Sequence, residues 1–280
     1  MPVQFEKCPS GIEEIPLLFD SPHSGRVYPD DFDTKLEIDF LRTAEDVFVD
    51  ELFAGAPDVG ASLITATFPR VYLDANRAED DIDPIAIADV WPGPLNTTGK
   101  SNRGKGLVWE TMHGMIPIYE RKLRSEEIAQ RIESYWRPYH TAVSDEMDRL
   151  RALFGQVYHV NCHSMRGEGK LFDTKEDVER SDFVISDLDR TSCDPAFTDF
   201  IANHLKARGY DVSINYPFKG AELISAYSEP ADHRHSVQIE INRNLYLEKL
   251  PDEKRLDYSD FCVEIQRLVE AIAGYVKASV

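Results

Sequence analysis

Seven short apolar runs, bounded by turn residues, recur along the chain at 15–20, 62–67, 70–74, 156–162, 182–188, 211–215 and 236–242. Runs of this size read as buried strands and are too short for core helices. Helical periods lie between them. In 126–153, Ile128, Ile132, Trp136, Tyr139, Val143, Met147 and Leu150 recur at three- and four-residue steps and form one apolar stripe. Pro138 removes a backbone donor inside that stretch, so a kink or restart is expected there. The segment 258–277 repeats the pattern with Phe261, Ile265, Leu268, Ile272 and Val276. Strands alternating with helices predict an α/β fold, a three-layer α/β/α sandwich around a mixed, largely parallel sheet. Segment 79–106 is rich in Pro, Gly, Asn and Asp without a sustained period, and it reads as a long loop or small insertion. No repeat or linker divides the chain, so 1–280 is expected to be a single domain.

Apolar residues make up 42% of the chain, ample for a core of this size. The formal charge of −19 argues against nucleic acid or an anionic membrane as partner, since phosphate binding needs clustered Lys and Arg. It also means that a small anionic substrate would need a local arginine or metal to reverse the potential in its pocket. No run approaches the roughly 18–20 apolar residues of a membrane helix, and the first residues lack the order of a signal peptide. A soluble, cytoplasmic protein is expected. Cys8, Cys162, Cys193 and Cys262 are scattered with no C-x-x-C pair, which points to reduced thiols rather than a disulfide framework or thiolate zinc site. Oligomeric state is not legible.

Chemistry-bearing residues sit where strands end. "LLFDSPHSGRVYP" breaks from an apolar run into a turn that carries His23, and "QVYHVNCHSM" alternates His159, Asn161 and His163 with apolar neighbours. Strand ends in α/β proteins hold functional groups rigidly yet accessibly. Two such imidazoles suit a divalent metal with an open position, and a third ligand is available from "AEDVFVDELF", read as a helix start. Glu45, Asp46 and Asp50 are all eligible there, and residue pattern alone does not rank them. In "HSVQIEINRNLYL", Val237, Ile239 and Ile241 point one way and leave Gln238, Glu240 and Asn242 on the other. On an edge strand that face is merely solvated, whereas on a central strand a carboxylate such as Glu240 must be paired or employed, and a general base needs a carboxylate beside a metal-bound water. "FPRVYLDANRAEDD" has neither the glycine nor the closing glutamate of a calcium loop. Arg77 within it reads instead as an anion clamp, since guanidinium grips carboxylate bidentately, or as one half of a surface ion pair with the neighbouring acids.

Together, "SPHSG", "EDVFVDELF", "PRVYLDANR", "GLVWETMHGMIPIYERKL", "YHTAVSDEMDRLRALFGQVYHVNCHSM", "SINYPFKGA" and "QIEINRNLY", in this order over most of the chain, resemble the N-formylglutamate amidohydrolases. The resemblance implies a fold like that of zinc carboxypeptidase-type hydrolases and one divalent metal, zinc, held by His23, His163 and the aspartate of the "ED" pair, Asp46. Carboxypeptidase-type relatives take a glutamate three residues after the first histidine, where this chain has Arg26. Glu240 corresponds to the general base, and Asn76 and Arg77 to an Asn-Arg pair that holds a substrate carboxylate. The implied reaction is cleavage of the N-formyl group of N-formyl-L-glutamate, giving formate and glutamate in histidine breakdown. A dicarboxylate needs a second cation, for which Arg243, Arg103 and Arg166 are candidates. Two rival readings are a hydrolase for another N-acyl amino acid and an inactive small-molecule-binding relative.

Overall fold

The computed structural model describes residues 1–113, 115–170 and 177–280. Seven strands form the central sheet: β1 (Val3–Glu6), β2 (Leu17–Ser21), β3 (Ser62–Ala66), β4 (Val157–Met165), β5 (Phe183–Ser186), β6 (Val212–Ile214) and β7 (Arg234–Asn242). Their spatial order is β1, β3, β2, β4, β7, β5, β6. The pairings β2 with β3, β2 with β4, β4 with β7 and β5 with β6 are parallel. Within this sheet β1 against β3 and β5 against β7 are antiparallel. The sheet is mixed and largely parallel, as the alternation of strands and helices implies.

The period of two along each strand sorts the side chains into two cores. On one face Leu17, Phe19, Tyr158, Val160, Cys162, Val237, Ile239 and Ile241 pack beneath the helices Pro195–Ala207 and Tyr258–Ala278. On the other, Leu18 and Ile64 join Ile128, Ile132, Tyr139, Val143, Met147 and Leu150 of the helical stretch 125–154. Asp20, His159, Asn161, His163, Ser236, Gln238 and Glu240 alternate out of phase with the first core and are all buried. A polar stripe down the middle of a covered sheet requires internal partners or a ligand.

The long helical stretch restarts ahead of its proline. A helix over Ser125–Arg131 passes through one π turn, Ile132–Trp136, into a second helix, Arg137–Phe154, with Pro138 in its first turn. Segment 79–106 is a loop with two short 3-10 turns, Pro84–Ala86 and Ser101–Arg103. Two expectations need correction. Residues 70–74 form no strand: Tyr72 and Leu73 bond back to the Pro69 carbonyl, and buried Arg131 donates to Tyr72 O at 3.0 Å. This apolar run is buried because Val71, Tyr72 and Leu73 pack into the second core, not because it joins the sheet. The helix expected from Glu45 starts later, as a single turn over Val49–Leu52, so Glu45 and Asp46 precede it. Among the described residues, no helix is long and apolar enough to cross a membrane.

Candidate active site

Local hydrogen bonds bring the turn after β2 against the turn around Asp46. The Asp46 N–H donates to His23 O at 2.9 Å. Ser24 Oγ donates to Asp46 O at 3.0 Å and accepts from the Asp50 N–H at 3.1 Å. Gly25 completes the turn because a Cβ there would lie 2.2 Å from Phe68 O, a contact only glycine avoids. His163, near the end of β4, enters from the neighbouring strand, and Glu240 of β7 stands in register beside it.

The three expected ligands converge. His163 Nδ1 lies 3.0 Å and His23 Nδ1 3.3 Å from Asp46 Oδ2, and the two nitrogens are 3.1 Å apart. Neighbours around a tetrahedral ion with bonds of about 2.0–2.1 Å are about 3.3 Å apart, so the triangle is of metal-site size. The outer partners assign the imidazole protons. His23 Nε2 is 2.6 Å from Asp74 Oδ1, and His163 Nε2 is 2.6 Å from Asn161 Oδ1. Each Nε2 donates to an oxygen, which leaves both Nδ1 lone pairs facing a carboxylate oxygen. Two imidazole nitrogens and a carboxylate oxygen this close together fit a cation. Asn76 Nδ2 approaches His163 Nε2 at a longer 3.2 Å.

Charges around the triangle are organised. Burial pushes Asp46 upward, but the neighbouring His163 and His23 and the Arg70 charge outweigh it and hold the carboxyl well below its ordinary range. Asp74 behaves likewise, with His23, Arg70 and Arg77 overcoming burial. Asp74 also receives Trp109 Nε1 at 3.1 Å and Arg70 at 3.0 Å. Glu240 is shifted the other way: burial and the negative charge of Asp46 raise it against the pull of His163, Arg70 and Arg243. Gln238 Nε2 donates to Glu240 Oε1 at 2.9 Å and fixes its orientation.

Glu45 and Asp50 turn toward other partners. Glu45 accepts from Tyr28 at 2.6 Å and pairs with Arg42, and Asp50 pairs with Arg26 at 3.4 Å. Arg26 thus stands in a surface ion pair.

A cavity of about 480 Å³ opens over the triangle, and His23, Asn76, His163 and Glu240 line it. Arg70, Arg77, Lys100, Arg103, Lys105, Arg166, Arg180, Lys219 and Arg243 also line it, against one carboxylate, Glu240, among the described residues. A chain of net charge −19 therefore carries a positive pocket. Arg77 and Arg243 are partly committed. Arg77 donates to the carbonyls of Lys105 at 3.1 Å and Asn76 at 2.6 Å. Arg243 donates to Asp46 Oδ1 at 2.8 Å, Ser164 Oγ at 2.9 Å and Thr43 O at 3.2 Å. Its guanidinium steadies a candidate ligand. Arg103 and Arg166 also line the cavity, and Arg180, Lys100 and Lys105, which no sequence pattern singled out, join them.

The model of the N-formylglutamate amidohydrolase family matches residues 15–247. The chain belongs to that family. An N-formylglutamate deformylase of Pseudomonas putida is 32% identical over 241 residues, spanning 84% of this chain and 83% of that protein. One from Pseudomonas aeruginosa is 30% identical over 268 residues, spanning 93% and 94%. The crystal structure of an N-formylglutamate amidohydrolase from Ralstonia eutropha superposes with a TM-score of 0.94 at 40% identity, covering 100% of this chain and 99% of that one.

Proposed function

We propose that the protein is a zinc-dependent amidohydrolase that cleaves N-formyl-L-glutamate to formate and L-glutamate. The observation that carries this reading is the meeting of His23, Asp46 and His163, with Glu240 in register beside His163, under a cavity of opposite charge to the molecule. The names of relatives aligned over most of the chain support the substrate. His23, Asp46 and His163 would hold the metal. Zinc bound there would supply Lewis-acid polarisation of the formyl carbonyl and ease deprotonation of water.

The chain's own residues do the rest. Glu240, set by Gln238, takes the proton of the attacking water and returns it to the leaving nitrogen. Its raised pKa brings it closer to neutral pH, where accepting and returning a proton are both feasible. Asn76 and Arg77 receive one substrate carboxylate, and Arg103 or Arg166 receives the other, with Arg180, Lys100 and Lys105 adding to the field. Arg243 orients Asp46. We place the enzyme in the cytoplasm, where its four free cysteines would stay reduced.

The test combines metal analysis with formate release from N-formylglutamate, N-formylglutamine and other N-acyl amino acids. One zinc per chain, lost in His163→Ala, and preference for N-formylglutamate are expected. Preference for a neutral N-formyl compound sinks the acidic-substrate reading, and activity unchanged after complete metal removal sinks the zinc reading.

A further inference from the structure

The alternation of His159, Asn161 and His163 along β4 has a part that the reaction leaves unused. Asn161 lies between the candidate ligand His163 and a carboxylate buried deeper in the sheet. Asp20 Oδ1 accepts from Asn161 Nδ2 at 2.7 Å and from His159 Nε2 at 2.8 Å, and Asp20 Oδ2 accepts from Tyr139 OH at 2.7 Å. Asp20, His159 and Asn161 are fully buried. Burial pushes Asp20 upward, but the His159 charge and the hydrogen bonds from His159, Asn161 and Tyr139 outweigh it, so the carboxyl stays below its ordinary value and remains acceptor-only.

We propose that Asp20 is a positioning residue for the metal site, acting through Asn161 on the tautomer of His163. An acceptor-only carboxylate binds the NH2 end of the Asn161 amide, which turns the amide oxygen toward His163. That oxygen is 2.6 Å from His163 Nε2 and draws the ring proton there. The lone pair is thereby left on Nδ1, the nitrogen that faces Asp46 and His23. Were the amide reversed, its NH2 would meet Nε2, the proton would move to Nδ1, and the ring could not ligate from the side that faces the other donors. Outer partners of this kind commonly change metal affinity by about 10–100-fold.

The inference rests on the reading of His23, Asp46 and His163 as metal ligands, and its test keeps the two apart. Zinc affinity is measured by competition with a chromophoric chelator, with circular dichroism and thermal melting as controls for folding. Wild type should bind one zinc; if it binds none, the metal reading fails and this proposal with it. Asp20→Asn should bind zinc about 10–100-fold more weakly while folded. The exchange pair Asp20→Asn with Asn161→Asp should regain most of the affinity, because it restores an acceptor-only group against His163 Nε2 and keeps the net charge. A role for Asp20 in packing alone would not be rescued by moving the carboxylate. Asn161→Ala leaves Asp20 with His159 and Tyr139 and tests the same relay should Asp20→Asn not fold; it should weaken zinc to a similar degree. Wild-type affinity in folded Asp20→Asn or in Asn161→Ala, with wild type binding normally, overturns the proposal.

Discussion

At the scale of single residues, Glu240 and Arg77 carry the sharpest consequences. Glu240→Gln keeps shape and the hydrogen bond to Gln238 but removes the proposed base, so turnover should fall by roughly 10²–10⁴ while the proposed zinc is retained. Near-normal turnover would reduce Glu240 to a structural role. Arg77→Lys and Arg77→Ala should both lower kcat/KM for N-formylglutamate, since lysine keeps the charge and loses the fork. Equal losses for N-formylglutamine would assign Arg77 to the carboxylate the two substrates share. The pH profile follows from two shifted groups. As the proposed base Glu240 would work as a carboxylate, so activity should be lost as pH falls through its raised pKa, at higher pH than an ordinary glutamate dictates. Lys100, which lines the cavity, is pushed down to about 8 by desolvation and by the charges of Arg77, Arg70 and Arg103. It loses its charge as pH rises through about 8, so KM for N-formylglutamate should climb there and that for N-formylglutamine less. A KM that stays flat to pH 9 would take Lys100 out of substrate binding.

At the scale of elements, legibility followed periodicity. The strands around β2, β4 and β7 and the two long helices announce themselves because one face of each is a continuous apolar stripe. His23, His163 and Glu240 could be picked out because they interrupt such stripes at strand ends or on a polar face. Asp74 and Arg70 carried no such mark: they lie in a buried turn that mimics a strand in composition, and their partners, His23 and Asp46, are distant in sequence. Lys100, Lys105 and Arg180 were equally silent, since a loop's position over a cavity has no local pattern. β1 escaped because its residues are mostly exposed and the edge of a sheet needs no apolar alternation. The close seating of the His23 turn gives a test at this scale. Gly25→Ala forces a Cβ to within 2.2 Å of Phe68 O unless backbone moves. It should destabilise the fold by about 1–3 kcal/mol, the usual cost of overpacking, and should also weaken zinc because His23 rides on the same turn. Urea unfolding and zinc titration of one preparation check both; full stability would show that the turn can shift away from residues 67–68.

At the scale of the whole molecule, two fields of opposite sign act on an anionic substrate. The chain's net charge of −19 repels a dianion at long range, whereas the cations of the cavity attract it once it is near. Salt separates the two by distance. The screening length is about 30 Å at 0.01 M and about 10 Å at 0.1 M, so a first addition of salt removes repulsion from remote surface acids while cations within the cavity still act on a bound substrate. At 1 M the length falls to about 3 Å and the local attraction is screened as well. The kcat/KM for N-formylglutamate, taken relative to that for N-formylglutamine to cancel general salt effects, should therefore rise between about 0.01 and 0.1 M and fall toward 1 M. A ratio that declines from the lowest salt onward would mean that the cavity's positive field already extends beyond the surface acids. The substrate would then be steered in from a distance, and the acidic exterior would have no part in its approach.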